Sequence, residues 1–79
     1  MIKVGNVYED LTKMTHNCTI TFIGKDTVNV LYANGGMFTV VNRAYDVEEF
    51  LKNRRLIAEY PTWIDAVNSP EFKEVEDEQ

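Results

Sequence analysis

Few side chains in this sequence have the type and spacing to do chemistry. Cys18 is its one cysteine and His16 its one histidine. Two residues apart on a strand, they would share a face, as a Cys–His dyad requires. No third group is in view to orient the imidazole, so the simpler reading makes Cys18 a small buried hydrophobe inside a strand. One His and one Cys cannot complete a tetrahedral metal site, and no acidic loop spaces its ligands as an EF-hand does. Asp46, Glu48 and Glu49 could hold a divalent ion weakly, but capping of a helix N-terminus accounts for all three. The adjacent acids Glu9 and Asp10 read as solvated loop carboxylates. Gly24, Gly35 and Gly36 read as turn residues, since no helix opens after them and no Lys-Ser or Lys-Thr follows. The expectation is therefore a protein that is not an enzyme, with no catalytic residue, no metal site and no cofactor.

Binding chemistry is better represented. Arg43, Lys52, Arg54 and Arg55 form a basic group, with Tyr32 and Tyr45 as stacking platforms for bases. Cations at a helix C-terminus explain part of that group just as well. An aromatic cage for a methylated lysine needs two or more aromatics on one rim, and most here fall at core positions. Trp63 either packs back over the core or anchors an interface. The candidate partner-binding surface comprises Tyr45, Arg54, Arg55 and Trp63, together with the acidic C-terminus.

Charge weighs against nucleic acid as the partner. The net charge is −5 over 79 residues. Residues 69–79 hold five acids and one lysine, a net of −4, leaving eight acids and seven bases, a net of −1, in the first 68. A nucleic-acid binder normally carries a basic footprint, and none appears overall. The acidic end reads as a solubilising, disordered tail or as an arm for a basic partner surface.

The elements that must position these residues follow from periodicity. At 44% hydrophobic and 27% charged, the chain has the composition of one globular domain. A lone cysteine excludes a disulfide scaffold and favours a reducing compartment. No apolar run reaches the roughly 18 residues a transmembrane helix needs, and none follows Met1 as a signal peptide would. Ile2 to Tyr8 reads as a first strand with a bulge at Gly5, and residues 9–17 as a loop. Cys18, Ile20 and Phe22 alternate with polar neighbours, Gly24-Lys25-Asp26 makes a turn, and Val28, Val30 and Tyr32 alternate again. Asn34-Gly35-Gly36 is hairpin chemistry leading to a fourth strand over residues 37–41. Asp46 with Glu49 forms a capping box for a short helix carrying Val47, Phe50 and Leu51, stopped at Asn53. Leu56, Ala58 and Tyr60 then give a fifth strand. Thr62 caps a second helix with Trp63, Ile64 and Val67, ended by Ser69-Pro70.

This order predicts a mainly β fold: a five-stranded antiparallel barrel with one short helix before the last strand and one C-terminal helix. It resembles the SH3-like (Tudor-like or KOW-like) barrels. The opening Val4, Gly5 and Tyr8 and the closing Phe50, Leu51, Arg55, Leu56 and Ile57 resemble, more narrowly, small accessory proteins of bacterial viruses. The resemblance covers residues 2–58. It implies a non-enzymatic module that binds, and regulates or inhibits, a host protein in the host cytoplasm; the alternative is a nucleic-acid-binding small barrel. The domain is expected over residues 1–68, the tail over 69–79, and no membrane contact is expected.

Overall fold

The computed structural model describes residues 2–11, 17–33 and 43–72. Five strands and two short helices follow one another as β1 (Asn6–Asp10), β2 (Asn17–Ile23), β3 (Thr27–Tyr32), β4 (Arg43–Asp46), α1 (Val47–Lys52), β5 (Arg54–Glu59) and α2 (Trp63–Val67). The strands form one sheet in the order β4-β3-β2-β1-β5, every neighbouring pair antiparallel. Among the described strands, β4 and β5 are the two edges.

Where local signals are strong, sequence and structure agree. The β2–β3 hairpin turns at residues 24–26, closed by Gly24 N–H donating to the Thr27 carbonyl at 2.7 Å. Asp46 caps α1 by accepting from the Glu49 N–H at 3.3 Å, and Thr62 caps α2 by accepting from the Asp65 N–H at 3.0 Å. Both satisfy amides that a helix N-terminus leaves without partners.

The sheet buries both faces. On the front, Tyr8, Cys18, Ile20, Val28, Val30 and Tyr32 pack against Phe50 of α1. The Phe50 ring meets Tyr8 edge-on, with centroids 5.0 Å apart. On the back, Leu31, Ala33 and Phe72 form a second cluster with Val67. Residues 69–72, the first part of the acidic stretch, belong to this packing. Asn17 Nδ2 donates to the Glu71 carbonyl at 2.8 Å, and the Tyr60 hydroxyl donates to the Glu71 carboxylate.

Three expectations are corrected. The first strand starts at Asn6 rather than Ile2 and takes in Glu9 and Asp10, the start of the expected loop. Asp10 is buried, because an arginine from β5 compensates its charge there. Phe22 is not in the core stripe. Pairing runs Ile20↔Val30 and then Phe22↔Asn29, so Thr21 is an extra, bulged residue. The bulge reverses the alternation, turning Ile23 inward and leaving Phe22 59% exposed. The last strand is Arg54–Glu59, one residue earlier than the alternation of residues 55–60 suggests. The strand expected over 37–41, the turn at Gly35 and Gly36, and the tail from residue 73 lie outside the described residues.

Gly5 fixes the junction between the two ends of the chain. Its φ is +95°, a region that suits glycine, and an added Cβ would collide with the Tyr60 carbonyl oxygen. Gly5 N–H donates to the Ile20 carbonyl at 3.0 Å and its own carbonyl accepts from Tyr60 N–H at 3.1 Å. The turn from β5 into α2 is thereby held against the start of β1.

Candidate functional site

The last rungs of the β1–β5 ladder place two acids opposite two arginines: Glu9↔Arg55 and Asp10↔Arg54. Successive strand residues point to opposite faces, so one pair enters the front core and the other lies on the back. Arg54 Nη2 lies 3.1 Å from Asp10 Oδ2, with side chains 6% and 0% exposed. Arg55 Nη2 lies 2.5 Å from Glu9 Oε1, with side chains 69% and 34% exposed.

The inner pair is the centre of a polar network. The Tyr32 hydroxyl donates to Asp10 Oδ2 at 2.7 Å and accepts from Arg54 Nη2 at 2.9 Å. With its one proton committed to the carboxylate, Tyr32 also accepts from the Tyr45 hydroxyl, 3.1 Å away. Arg54 Nη1 donates to the Phe50 carbonyl at 3.0 Å, which satisfies a group near the C-terminus of α1. The guanidinium lies 4.5 Å from the Tyr45 ring centroid and 4.7 Å from that of Phe50. Side chains from β1, β3 and β4, together with the ring and the carbonyl of Phe50 on α1, thus converge on one cation from β5.

This environment sets the protonation states. Burial works against the Arg54 charge, but the hydrogen bond to Tyr32 and the Asp10 carboxylate outweigh it and hold its pKa above the usual value. Burial pushes the Tyr32 hydroxyl well up. It also pushes the Cys18 thiol up to about 12, with the nearby Arg54 only partly offsetting it. A thiol held that high stays protonated at neutral pH and makes a poor nucleophile. His16, its one candidate base, lies outside the described residues. Among the described residues no three His, Cys, Asp or Glu side chains are grouped to hold a metal ion. No described helix is long and apolar enough to cross a membrane.

The four residues singled out from the sequence do not form one surface. Tyr45 and Arg54 touch one another inside the front network. Arg55 lies on the back, paired with Glu9, and Trp63 is exposed on α2. The stacking role suggested for Tyr32 and Tyr45 meets the same obstacle, since Tyr32 is buried and the Tyr45 ring already faces Arg54. Nothing is described of the Arg43 side chain. What the sequence reading missed is an apolar exposure: Leu56 and Ile57 on the edge strand, and Ile64 beside Trp63 on α2. Alternation along β5 groups Leu56 with Ala58 and Tyr60 on one face and Ile57 with the polar Arg55 and Glu59 on the other, so it hides the exposure of Leu56 but not that of Ile57. Ile64 was visible as an apolar residue, but its exposure depends on how α2 is turned.

The candidate site is therefore the run from Arg55 to Ile64, which comprises edge strand β5, the turn clamped by Gly5, and the first turn of α2. No known protein family matches this chain, and no curated protein or solved structure matches it either.

Proposed function

We propose that the chain is a non-enzymatic protein-binding module that works through the exposed Arg55–Ile64 segment. The observation that carries this reading is the exposure of Leu56, Ile57, Trp63 and Ile64 within nine residues of a folded body. Aromatic and aliphatic side chains left in solvent on an edge strand and its adjoining helix suit a partner that removes them from water. The nucleic-acid alternative is weakened by the fate of the bases. Arg54 is buried on Asp10, Arg55 is paired with Glu9, and Lys3 lies 3.5 Å from Glu59. Carboxylates that already neutralise these cations leave less charge to displace counterions from a phosphate backbone.

The finer reading is an SH3-like barrel of the kind bacterial viruses direct at host proteins, acting in the host cytoplasm. A strand order of β4-β3-β2-β1-β5, with a helical turn before the last strand, supports the barrel part. The viral part rests on the resemblance of residues 2–58.

Tagged protein and its Trp63→Ala variant, both checked for folding by circular dichroism, would be incubated with bacterial lysate with and without nuclease. A stoichiometric protein that survives nuclease and is lost with Trp63→Ala supports the reading. Recovery of nucleic acid, with protein bands that vanish on nuclease treatment, overturns it in favour of a nucleic-acid-binding barrel.

A further inference from the structure

β5 is paired to β1 in two different registers. Asn6↔Glu59 and Val7↔Ala58 follow one; Tyr8↔Leu56, Glu9↔Arg55 and Asp10↔Arg54 follow another, shifted by one residue. Ile57 is the residue in excess, with no partner directly opposite on β1. Up to and including the surplus residue, the sequence of β5 is doubled in kind. Arg54 and Arg55 are the same residue, and Leu56 and Ile57 are isomeric side chains exposed to the same degree, 38% each.

Extending the Asn6–Val7 register without interruption gives Tyr8↔Ile57, Glu9↔Leu56 and Asp10↔Arg55. That ladder has no bulge. It again seats an arginine beside Asp10 on the front face and a branched aliphatic residue opposite Tyr8. The surplus residue moves into the turn at Asn53, where the Leu11 N–H now donates to the Asn53 carbonyl at 2.8 Å and would donate to that of Arg54 instead. The shift gives up the solvent-exposed Glu9–Arg55 pair, the kind of contact worth little. The present register has a defect of its own, because Arg54 Nε is buried without a hydrogen-bond partner. Register is strongly specified only where a slip exchanges apolar for polar residues on the buried face, and here the slip replaces like with like.

We propose that the N-terminal half of β5 exchanges between two registers on β1, with Arg54 in the seat beside Asp10 in one and Arg55 in the other. The bulge migrates between Ile57 and the α1–β5 turn as the strand moves by one residue. The two states present different edges. In the second, Leu56 faces the back, Glu9 loses its cation and Arg54 reaches the surface. A ligand that prefers one edge would shift the population toward it. This inference does not depend on the nature of the partner.

Relaxation-dispersion NMR on the full chain reads such exchange directly when it runs on the microsecond-to-millisecond scale, where helix register shifts and shear motions fall. Exchange is expected at the amides of residues 54–58 and 8–11, with the β2–β3 hairpin quiet. Deleting Ile57 leaves a straight ladder with Arg54 in the seat and should abolish the exchange. A mutant cycle gives an independent readout. Arg55→Ala should change the unfolding equilibrium constant by no more than about threefold in the wild-type chain, but by more than about tenfold in the Arg54→Ala background, where Arg55 is the remaining occupant. Flat dispersion profiles, additive effects of the two substitutions, or an Arg54→Ala chain that does not fold would each overturn the proposal.

Discussion

Two ion pairs occupy neighbouring rungs of the same ladder and differ in almost everything but chemistry. Glu9–Arg55 has the shorter distance, 2.5 Å against 3.1 Å for Asp10–Arg54. Distance is nevertheless a poor guide to their weight. The outer pair lies in water, which screens the attraction and already solvates both ends. The inner pair has exchanged water for Tyr32, the Tyr45 and Phe50 rings and a helix carbonyl, so removing one member strands the others. A buried pair need not stabilise more than an apolar replacement of equal volume would; what it does is make half-measures costly. Strand alternation alone assigned one arginine to each role.

Breaking the inner pair should give the largest effect. Asp10→Ala leaves the Arg54 charge buried without its carboxylate, a loss of about 3–5 kcal/mol, which matches the roughly 3–5 kcal/mol that a domain this small retains. The variant should be largely unfolded by circular dichroism at 25 °C; a urea midpoint near that of the wild type would show that the site is wet.

A smaller effect is expected at alkaline pH, and again on the inner side. The Cys18 pKa is raised in the folded chain from an ordinary 9.0 to about 12. A neutral thiol is favoured by folding, so this contribution is complete below pH 9 and is lost as pH rises toward 12. Burial raises the pKa values of Tyr8 and Tyr32 as well, which steepens the same limb. Stability followed by urea unfolding across this range should decline, and Cys18→Ala should flatten the first part of the decline. A wild-type profile that stays level to pH 11 would mean the thiol ionises without leaving the core.

The outer pair should yield least. Glu9→Gln is expected to change stability by less than about 1 kcal/mol, with the difference fading at high salt. A larger or salt-insensitive loss, read from the same urea curves, would erase the contrast between the two rungs.

How much of this was legible in the sequence depended on the range of the signal. Val28, Val30 and Tyr32 announced an inward face because their neighbours alternate in polarity, and Asp46 and Thr62 announced helix starts because caps act over three residues. The Asp10–Arg54 network could not be read that way. Asp10 looks like any loop acid until a strand more than forty residues later is laid beside it, and Arg54 looks no different from Arg55 until the register decides between them. Phe22 failed for a related reason. One bulged residue, Thr21, inverts a pattern that is locally faultless. The candidate surface was legible only at Arg55 and Trp63. Leu56, Ile57 and Ile64 needed the edge position of β5 and the orientation of α2, both of which are set by packing.

The span of the β1–β5 ladder also sets an order of events. Arg55 and Glu9 are 46 residues apart in the chain, whereas the β2–β3 hairpin turns within a few. Closing the longer loop costs more chain entropy, and that cost falls before any contact repays it. The hairpin is therefore expected to form first and the docking of β5 to come late. Damage to the Asp10–Arg54 seat would then leave the refolding rate nearly untouched and speed unfolding instead, a split that the two arms of a chevron plot separate. In a living cell the same split is felt as lifetime, since a last-docked strand is the first to let go and the first to meet a protease.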